Sequence, residues 1–344
     1  MRPLAFQVLR ALSHQHFVSG AALAKSMGVS RSAISDALRD ATGQGIEIFK
    51  LTRRGYRLAA PLDLLDLEVM RQHLGEATWR VDVDIVEVIG STNTELAKRA
   101  AAGAPGGSCI AAEIQTDGRG RRGRHWKSGL ATSLTFSLLW RFDRGAAQLG
   151  GLSLAVGLAI VRALRKTGIG AVGVKWPNDI VLDGKKLGGV LIETQGDMLG
   201  PTAVVIGVGI NVRLPELLSA DIDQAVTDVQ SQLLSPVSRS LLLATLLREL
   251  VSILEQFSAA GFPALREEWL GSHALHNRGI QVMRDTADTF EAVVRDVAAD
   301  GSLIVEAAGQ RIVLSSAEIS VRDASTIKKN GAVNTLRRGQ GASS

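Results

Sequence analysis

The chain has 344 residues, 46% of them hydrophobic, with 39 Lys and Arg against 34 Asp and Glu, six histidines and one cysteine. At roughly 100–200 residues per domain, that length predicts two or three domains with real cores and excludes a single small module. Cys109 alone excludes an intrachain disulfide, and the histidines show neither the C-x2-C nor the H-E-x-x-H spacing of a metal site; His14 and His16 stand closest together, in what reads as a turn. The net charge of +5 is unevenly placed: residues 1–60 hold 9 basic and 3 acidic groups, 61–322 hold 26 and 30, and 323–344 hold 4 and 1. A basic head points to a polyanion such as nucleic acid, because Lys and Arg neutralise phosphates and release counterions. Arg10 interrupts MRPLAFQVLR before a secretory apolar stretch develops. The longest apolar run, Leu149 to Val161, is too short to cross a bilayer, so a cytoplasmic protein with no membrane partner is expected.

In the head, Leu4, Val8 and Leu12 fall at helical spacing, and a second short helix is predicted over Gly20 to Met27, ended by Gly28. Ser30 is placed to cap a third helix in which Ile34, Ala37 and Leu38 form the buried face. Its exposed face carries Arg31, Ser32, Ser35, Asp36 and Arg39, groups suited to base edges and phosphates in a major groove. Ile46–Lys50 and Gly55–Leu58 read as strands around the basic turn Thr52-Arg53-Arg54, with Arg57 on the second strand. This is the plan of a winged helix-turn-helix, with Arg31, Ser32, Ser35, Arg39, Arg53 and Arg54 as DNA contacts. Asp36 and Asp40 weigh the other way, since carboxylates facing phosphates cost affinity. The competing reading is a small helical protein-interaction domain with a solvated basic face.

Past Pro61 a linker helix is expected over Leu62 to Leu74, and from Val81 short apolar strands alternate with helices, as in an α/β or α+β catalytic domain. Thr92 with Glu95 fits a capping box opening the helix that holds Leu96 to Ala101. The stretch Gly118-Arg-Gly120-Arg-Arg-Gly123 matches G-x-G-x-x-G. A dinucleotide fingerprint must open a helix, however, and here a strand over Thr132 to Trp140 follows, so the Rossmann reading is rejected. Three glycines with Arg119, Arg121, Arg122 and Arg124 describe a ligand-wrapping loop whose guanidinium groups hold phosphate oxygens. Its like charges predict disorder until an anion arrives. A solvated basic loop or a small RNA-binding cluster is the competing reading. Lys175-Trp-Pro-Asn-Asp179 is a strand ending in a Pro-fixed turn. Lys186-Leu-Gly-Gly189 opens a strand that runs to Glu193, and Gly207-Val-Gly-Ile-Asn211 lies in a third strand, with glycines where a ligand would approach the backbone.

Ser91-Thr92-Asn93, the Gly118–Gly123 loop with Trp126, Lys175–Asp179, Lys186–Gly189 and Gly207–Asn211 occur in the order and rough spacing of the biotin protein ligases. With the winged head, residues 1–322 resemble the bifunctional bacterial type, a ligase that is also the repressor of its biotin genes. The resemblance implies an α+β fold: winged helix 1–60, class II synthetase-like mixed α/β catalytic domain 61–270, and SH3-like β-barrel 271–322. Four strands, beginning near Gly279, Thr289, Gly301 and Gln310, are read in that last region, and 323–344 is expected to be a disordered tail. The implied chemistry is activation of biotin by MgATP to biotinyl-5′-AMP, then transfer to a lysine of the biotin carboxyl carrier protein of acetyl-CoA carboxylase. Carried over by motif, Ser91, Thr92, Asn93, Gln115, Gly118, Arg119, Gly120, Arg121, Lys186 and Gly189 fall on the biotin side. Arg121, Arg122, Arg124, Trp126, Asn178, Asp179, Asn211 and Arg322 fall on the ATP side. Lys186, Arg119 and Arg121 are the expected catalytic cations and Asp179 the expected Mg²⁺ ligand. Partners implied are the carrier, operator DNA and a second copy of the chain when biotinyl-5′-AMP, acting as corepressor, is bound. Two alternatives differ in function: a ligand-responsive transcription factor without ligase activity, and a lipoate ligase of the same fold.

Overall fold

The computed structural model describes residues 1–196, 199–215, 224–284, 289–315 and 319–323, with Arg284 and the final five residues described by backbone only. The expected tail, apart from the backbone of Asp323, lies outside the described residues. The head begins with α1 (Pro3–Ala11), α2 (Gly20–Met27) and α3 (Arg31–Thr42). Gly28, in the left-handed region at φ 65°, ends α2, and the Ser30 hydroxyl accepts from the Ala33 amide at 3.1 Å to open α3. Phe6, Leu9, Leu23, Ile34 and Leu38 close the core between the three helices. The wing is an antiparallel hairpin of β1 (Ile48–Leu51) and β2 (Gly55–Leu58). Only glycine fits at position 55, where φ is 111° and a Cβ would stand 2.1 Å from the Val18 carbonyl oxygen.

The head is not a separate bead. Its apolar core takes in Ile114 and Leu130 from the following region, one just before Gln115 and one just after the arginine loop. The expected helix over 62–74 shrinks to α4 (Leu67–His73), capped by Asp66, whose carboxylate accepts from the Glu68 and Val69 amides at 2.8 and 3.1 Å. The preceding residues are extended because their amides are claimed from afar: Leu65 donates to Glu113 at 2.5 Å and Asp66 to the Ser240 hydroxyl at 2.9 Å.

The central unit is a seven-stranded sheet in the order β3-β4-β5-β9-β8-β7-β6. Its strands are β3 (Asp82–Ile89), β4 (Ser108–Gln115), β5 (Ser133–Phe142), β6 (Val172–Lys175), β7 (Asp179–Leu182), β8 (Lys185–Gly196) and β9 (Thr202–Asn211). Only β3 and β4 pair in parallel, joined by α5 (Thr92–Ala101); the other neighbours are antiparallel. One face is covered by α6 (Leu152–Lys166) and by α7 (Arg239–Ala260), against which Val204, Ile206, Val208 and Ile210 of β9 are buried. The alternate residues of β9 face α5 and the site. No helix among the described residues is long and apolar enough to cross a membrane.

After α8 (Arg266–Ser272) come five antiparallel strands, β10 (Gly279–Arg284), β11 (Thr289–Val297), β12 (Leu303–Ala307), β13 (Gln310–Leu314) and β14 (Ile319–Asp323), in the order β13-β12-β11-β10-β14. The sequence reading found four of them; β14, read only for Arg322, is the fifth, and its backbone closes against β10 with Arg322 opposite Gln281.

A buried ion pair fastens linker to sheet. Arg239, at the start of α7, is 1% exposed and donates to Glu113 at 2.7 Å, to the Ser133 carbonyl at 3.0 Å and to the Asp63 carbonyl at 2.9 Å. The Asp63 carboxylate accepts the Arg239 amide at 2.6 Å, and burial pushes that carboxyl above its ordinary range while Arg239 opposes the rise. Replacing Arg239 by Met strands Glu113 as an unpaired buried charge and should lower the unfolding free energy by about 3–5 kcal/mol. The double variant R239M/E113L should recover most of that loss. Urea denaturation checks both, and a single-variant loss under about 1 kcal/mol would contradict the assignment.

Candidate functional site

A cavity of about 1240 Å³ opens on the α5 face of the sheet. Alternate positions of three adjacent strands lie under it, most of them small, with Thr135, Gly207, Gly209, Gly189 and Leu191 in its lining. Pairing sets Ser137 of β5 against Gly207 of β9, and Gly207 against Leu191 of β8; one step on, Thr135, Gly209 and Gly189 line up in the same way. On β5 these positions alternate with the buried Leu134, Phe136 and Leu138, a period of two visible in the sequence.

The glycines of β9 line the cavity and also make room for other side chains of the protein. A Cβ at Gly207 would stand 2.2 Å from Asn93 Oδ1, and one at Gly209 would stand 2.6 Å from the Trp126 ring. A Cβ at Gly188 would meet the Gly209 carbonyl oxygen at 2.6 Å. These glycines admit other side chains of the protein and a neighbouring strand. Gly189 differs: a Cβ there would make ordinary contacts with the Lys186 chain at 3.5 Å and the Asn178 carbonyl oxygen at 3.7 Å.

The start of α5 forms one wall. The N-cap is Ser91, extended at φ −150°, whose hydroxyl accepts the Thr94 amide at 3.4 Å; the expected capping box from Thr92 does not form. Thr92 is instead the first helical residue, and both its amide (2.8 Å) and its hydroxyl (3.1 Å) donate to Gln115 Oε1. Ser137, which sequence reasoning missed, donates within 2.7 Å of Thr92 Oγ1 and 2.5 Å of Asn93 Oδ1. Ser91, Thr92 and Asn93 are all at most 5% exposed, so this wall is fixed by internal hydrogen bonds.

The arginine loop forms the roof. It is a hairpin rather than a disordered segment: Gly120 donates to the Arg124 carbonyl at 2.7 Å, Trp126 to the Gly118 carbonyl at 2.8 Å, and Arg119 bridges His125. Gly118 stands outside the cavity lining, where a Cβ would strike the Trp126 carbonyl oxygen at 2.6 Å. Arg122 turns the tip at φ 58° and Gly123 at φ 70°. Two anchors offset the like charges, Arg119 on Glu193 at 2.7 Å and Arg121 on Asn178 Oδ1 at 3.3 Å. Burial draws the Arg121 guanidinium below its ordinary range; repulsion from Arg122 and Arg124 adds to this and Asp179 opposes it, so an incoming anion would be welcomed there. Trp126 Nε1 is buried without a hydrogen-bond partner.

The remaining wall carries the lysine. Lys186 Nζ lies 2.7 Å from Asp179 Oδ1, each side chain 20% exposed. Lys186 also exchanges backbone hydrogen bonds with residues 225–227, donating to the Ala225 carbonyl and accepting from the Thr227 amide, each at 2.9 Å. Asn211, 4% exposed, donates to the Thr227 carbonyl at 3.1 Å and so fixes the same segment. Asn178 donates to the Val190 carbonyl at 2.8 Å. Ser91, Thr92, Asn93, Gln115, Arg119, Gly120, Arg121, Arg122, Arg124, Trp126, Asn178, Asp179, Lys186, Gly189 and Asn211 all line the one cavity. The side chain of Arg322 lies outside the described residues. Among the described residues no three His, Cys, Asp or Glu stand together as a metal cage, and Asp179, the expected Mg²⁺ ligand, is occupied by Lys186.

On the head, Arg31 and Ser32 are exposed, as are Arg53 and Arg54 on the wing turn. Ser35 turns its hydroxyl back to the Arg31 carbonyl at 3.2 Å. The aspartates that weighed against DNA are paired locally, Asp36 with Arg39 at 2.9 Å and Asp40 with the Arg2 guanidinium at 3.6 Å, the Arg2 amide also donating to Asp40 at 2.8 Å. Arg57 is turned inward, donating to the His14 carbonyl at 3.0 Å and lying over Phe17 and Phe49, so it supports the wing rather than facing a groove.

The turn carrying Asn178 and Asp179 contains a cis Trp176–Pro177 bond and is held from three directions. Ser153 donates to the Pro177 carbonyl at 3.0 Å, Trp176 Nε1 donates to the Gly301 carbonyl at 3.0 Å, and the Trp176 amide donates to His273 Nε2 at 3.3 Å. His273 is 6% exposed and stacked on Trp269; burial, with His276 and Lys175 adding, lowers its pKa to about 3. The unfolded chain therefore takes up a proton below about pH 6.5 that the folded state refuses, and stability falls with acidification by up to about 1.4 kcal/mol per pH unit from this group. His273→Gln should flatten that dependence between pH 7 and 5, read from urea midpoints; an unchanged slope would place the effect elsewhere.

Residues 85–211 match the model of the biotin/lipoate A/B protein ligase family, and residues 5–57 match an HTH domain model. The bifunctional ligase/repressor BirA of Escherichia coli K12 is 33% identical over 92% of this chain and 97% of its own length. A biotin--[acetyl-CoA-carboxylase] ligase of Mycobacterium tuberculosis is 32% identical over 76% of this chain and 97% of its own. In fold, a biotin protein ligase from Aquifex aeolicus in complex with biotin and ATP aligns with TM-score 0.60 and 23% identity over 71% of this chain and 99% of that one.

Proposed function

Because this chain belongs to the biotin protein ligases, we propose that the cavity beneath the arginine loop runs their two-step acyl transfer with the residues assigned below. The protein is a biotin–[acetyl-CoA-carboxylase] ligase with a DNA-binding repressor head. The observation that carries the site reading is convergence: the α5 start, the arginine loop, the Asn178–Asp179 turn and Lys186 line one cavity.

In the first step a biotin carboxylate oxygen attacks the α-phosphorus of ATP, and the bond to the departing pyrophosphate breaks. Negative charge grows on the phosphate oxygens, where Lys186 and Arg121 are fixed donors and need little reorganisation. Asp179 holds the Lys186 ammonium in place until the substrate anion competes for it. The buried wall of Thr92, Asn93 and Ser137 orients the biotin end. Trp126, in the cavity lining, offers a ring face to the adenine. Mg²⁺ would fit here as a partner of the ATP phosphates rather than as an ion held in a protein cage, since among the described residues Asp179 and Asp183 line the cavity but no three acidic, His or Cys groups stand together. In the second step a lysine amine of the carrier attacks the acyl carbon of biotinyl-5′-AMP, the carbon–oxygen bond breaks, AMP leaves, and the amine gives up a proton.

We divide the chain at residues 60 and 270 into winged helix, catalytic unit and C-terminal strands, and read the last as an SH3-like barrel. Biotinyl-5′-AMP acts as corepressor by favouring a homodimer that sets two heads on a palindromic operator. Arg31, Arg53 and Arg54 are the outward cations that would meet phosphates.

With biotin, ATP and a carrier domain, the protein should label one carrier lysine, and Lys186→Ala should slow labelling by about 100-fold or more. An unlabelled carrier would sink the ligase reading, and lipoate competing as well as biotin would move it to the sister branch. Gly207→Ala, which must displace Asn93, should weaken biotin binding about tenfold or more by calorimetry without affecting operator binding in the absence of ligand. Arg54→Gln should reduce the slope of log affinity for operator DNA against log salt by about 1.

A further inference from the structure

Glu193 gathers two parts of the site that the chain keeps far apart. It lies on β8 opposite Val205, on the cavity face. Its Oε2 accepts Asn93 Nδ2 at 2.8 Å, from the start of α5. Both of its oxygens accept Arg119 Nη2, at 2.9 and 2.7 Å, from the base of the arginine loop. One nitrogen, Nη2, is shared between both carboxylate oxygens, which ties the Arg119 side chain to β8. Arg119 is thereby held at the loop base, while Arg121, further along the loop, donates to Asn178 Oδ1 at 3.3 Å. One carboxylate thus fixes the loop base to the same wall that Asn93, Ser137 and Thr92 complete.

We propose that Glu193 is a positioning residue for the ligase reaction, anchoring Arg119 as the pivot of the arginine loop, so that Arg119 is a structural hinge point and not a donor to the reacting phosphate. This rests on the ligase reading above and redistributes roles within it. Phosphate charge falls to Arg121 and Lys186. The Glu193–Arg119 pair governs whether the loop sits over the biotin wall, and so governs affinity more than the rate of chemistry.

The test is a double-mutant cycle of Glu193→Gln, Arg119→Gln and the double variant, followed by carrier labelling at varied biotin and by limited trypsin digestion at Arg121, Arg122 and Arg124. Each single variant should raise the biotin KM about fivefold, the scale expected for a half-exposed ion pair, with kcat within about twofold of the parent. Each should also speed cleavage in the loop, and the double variant should be no worse than the poorer single, because both lose the same contact. The proposal is overturned if R119Q lowers kcat by about 100-fold with E193Q near normal, or if the two losses multiply. Arg119 lies on a half-exposed loop, so its kcat and KM decide the matter even if Glu193→Gln disturbs folding. The digestion rates need no turnover: a parent protein that fails to label carrier refutes the ligase reading, whereas loop protection that survives E193Q refutes the anchor.

Discussion

The guanidinium of Arg239 is the group on which the arrangement of this protein depends. Removing a charge from water is costly, and here the cost is offset by a carboxylate and two carbonyl oxygens, all within 3.0 Å. Those acceptors come from the linker, from β4 and from β5 and take up Nε and Nη1, so one side chain of α7 sets the relative position of four segments, while Nη2 is buried without a partner. Two residues beyond Glu113, β4 ends in Gln115, which receives the first amide of α5. The linker that emerges from the head and the wall of the cavity are thus consequences of the same buried contact.

The cavity itself is a place where side chains have been left out. Ser137, Gly207, Gly209 and Gly189 keep three neighbouring strands low, and the space is partly refilled by Asn93 and Trp126 arriving from elsewhere. Around this neutral floor the cations are held in pairs, Lys186 on Asp179 and Arg119 on Glu193. Pairing lets several like charges share a small volume without unfolding the loop. The Lys186–Asp179 pair, each side chain 20% exposed, is loose enough for a substrate anion to exchange with the carboxylate rather than to confront an already neutral wall.

Local signals in the sequence were read well where they were sufficient. Gly28 ends α2 and Ser30 opens α3 because both act through their own backbone neighbourhood, and the arginine loop stood out because three glycines among four arginines have few other uses. What was misread depended on distant partners. The linker helix starts late because Leu65 and Asp66 give their amides to Glu113 and Ser240, residues 48 and 174 positions away. Ser91 and Thr92 both resemble caps, and only the reach of Gln115 decides between them. The loop hairpin follows from Glu193 and Asn178, which no inspection of the loop could reveal. β14 was hidden behind the arginine for which it was noticed, and Arg57 seemed a groove contact until Phe17 and Phe49 closed on it.

The bare backbone of β9 also limits how this pocket can be remodelled. A cavity is ordinarily deepened by trimming the residue at its floor, but at positions 207 and 209 nothing remains to trim. Any added depth has to come from shortening Asn93 or Trp126, the side chains seated over those glycines. Since Asn93 is also bonded to Ser137 and Glu193, reshaping Trp126 gains room over Gly209 without unfastening the wall.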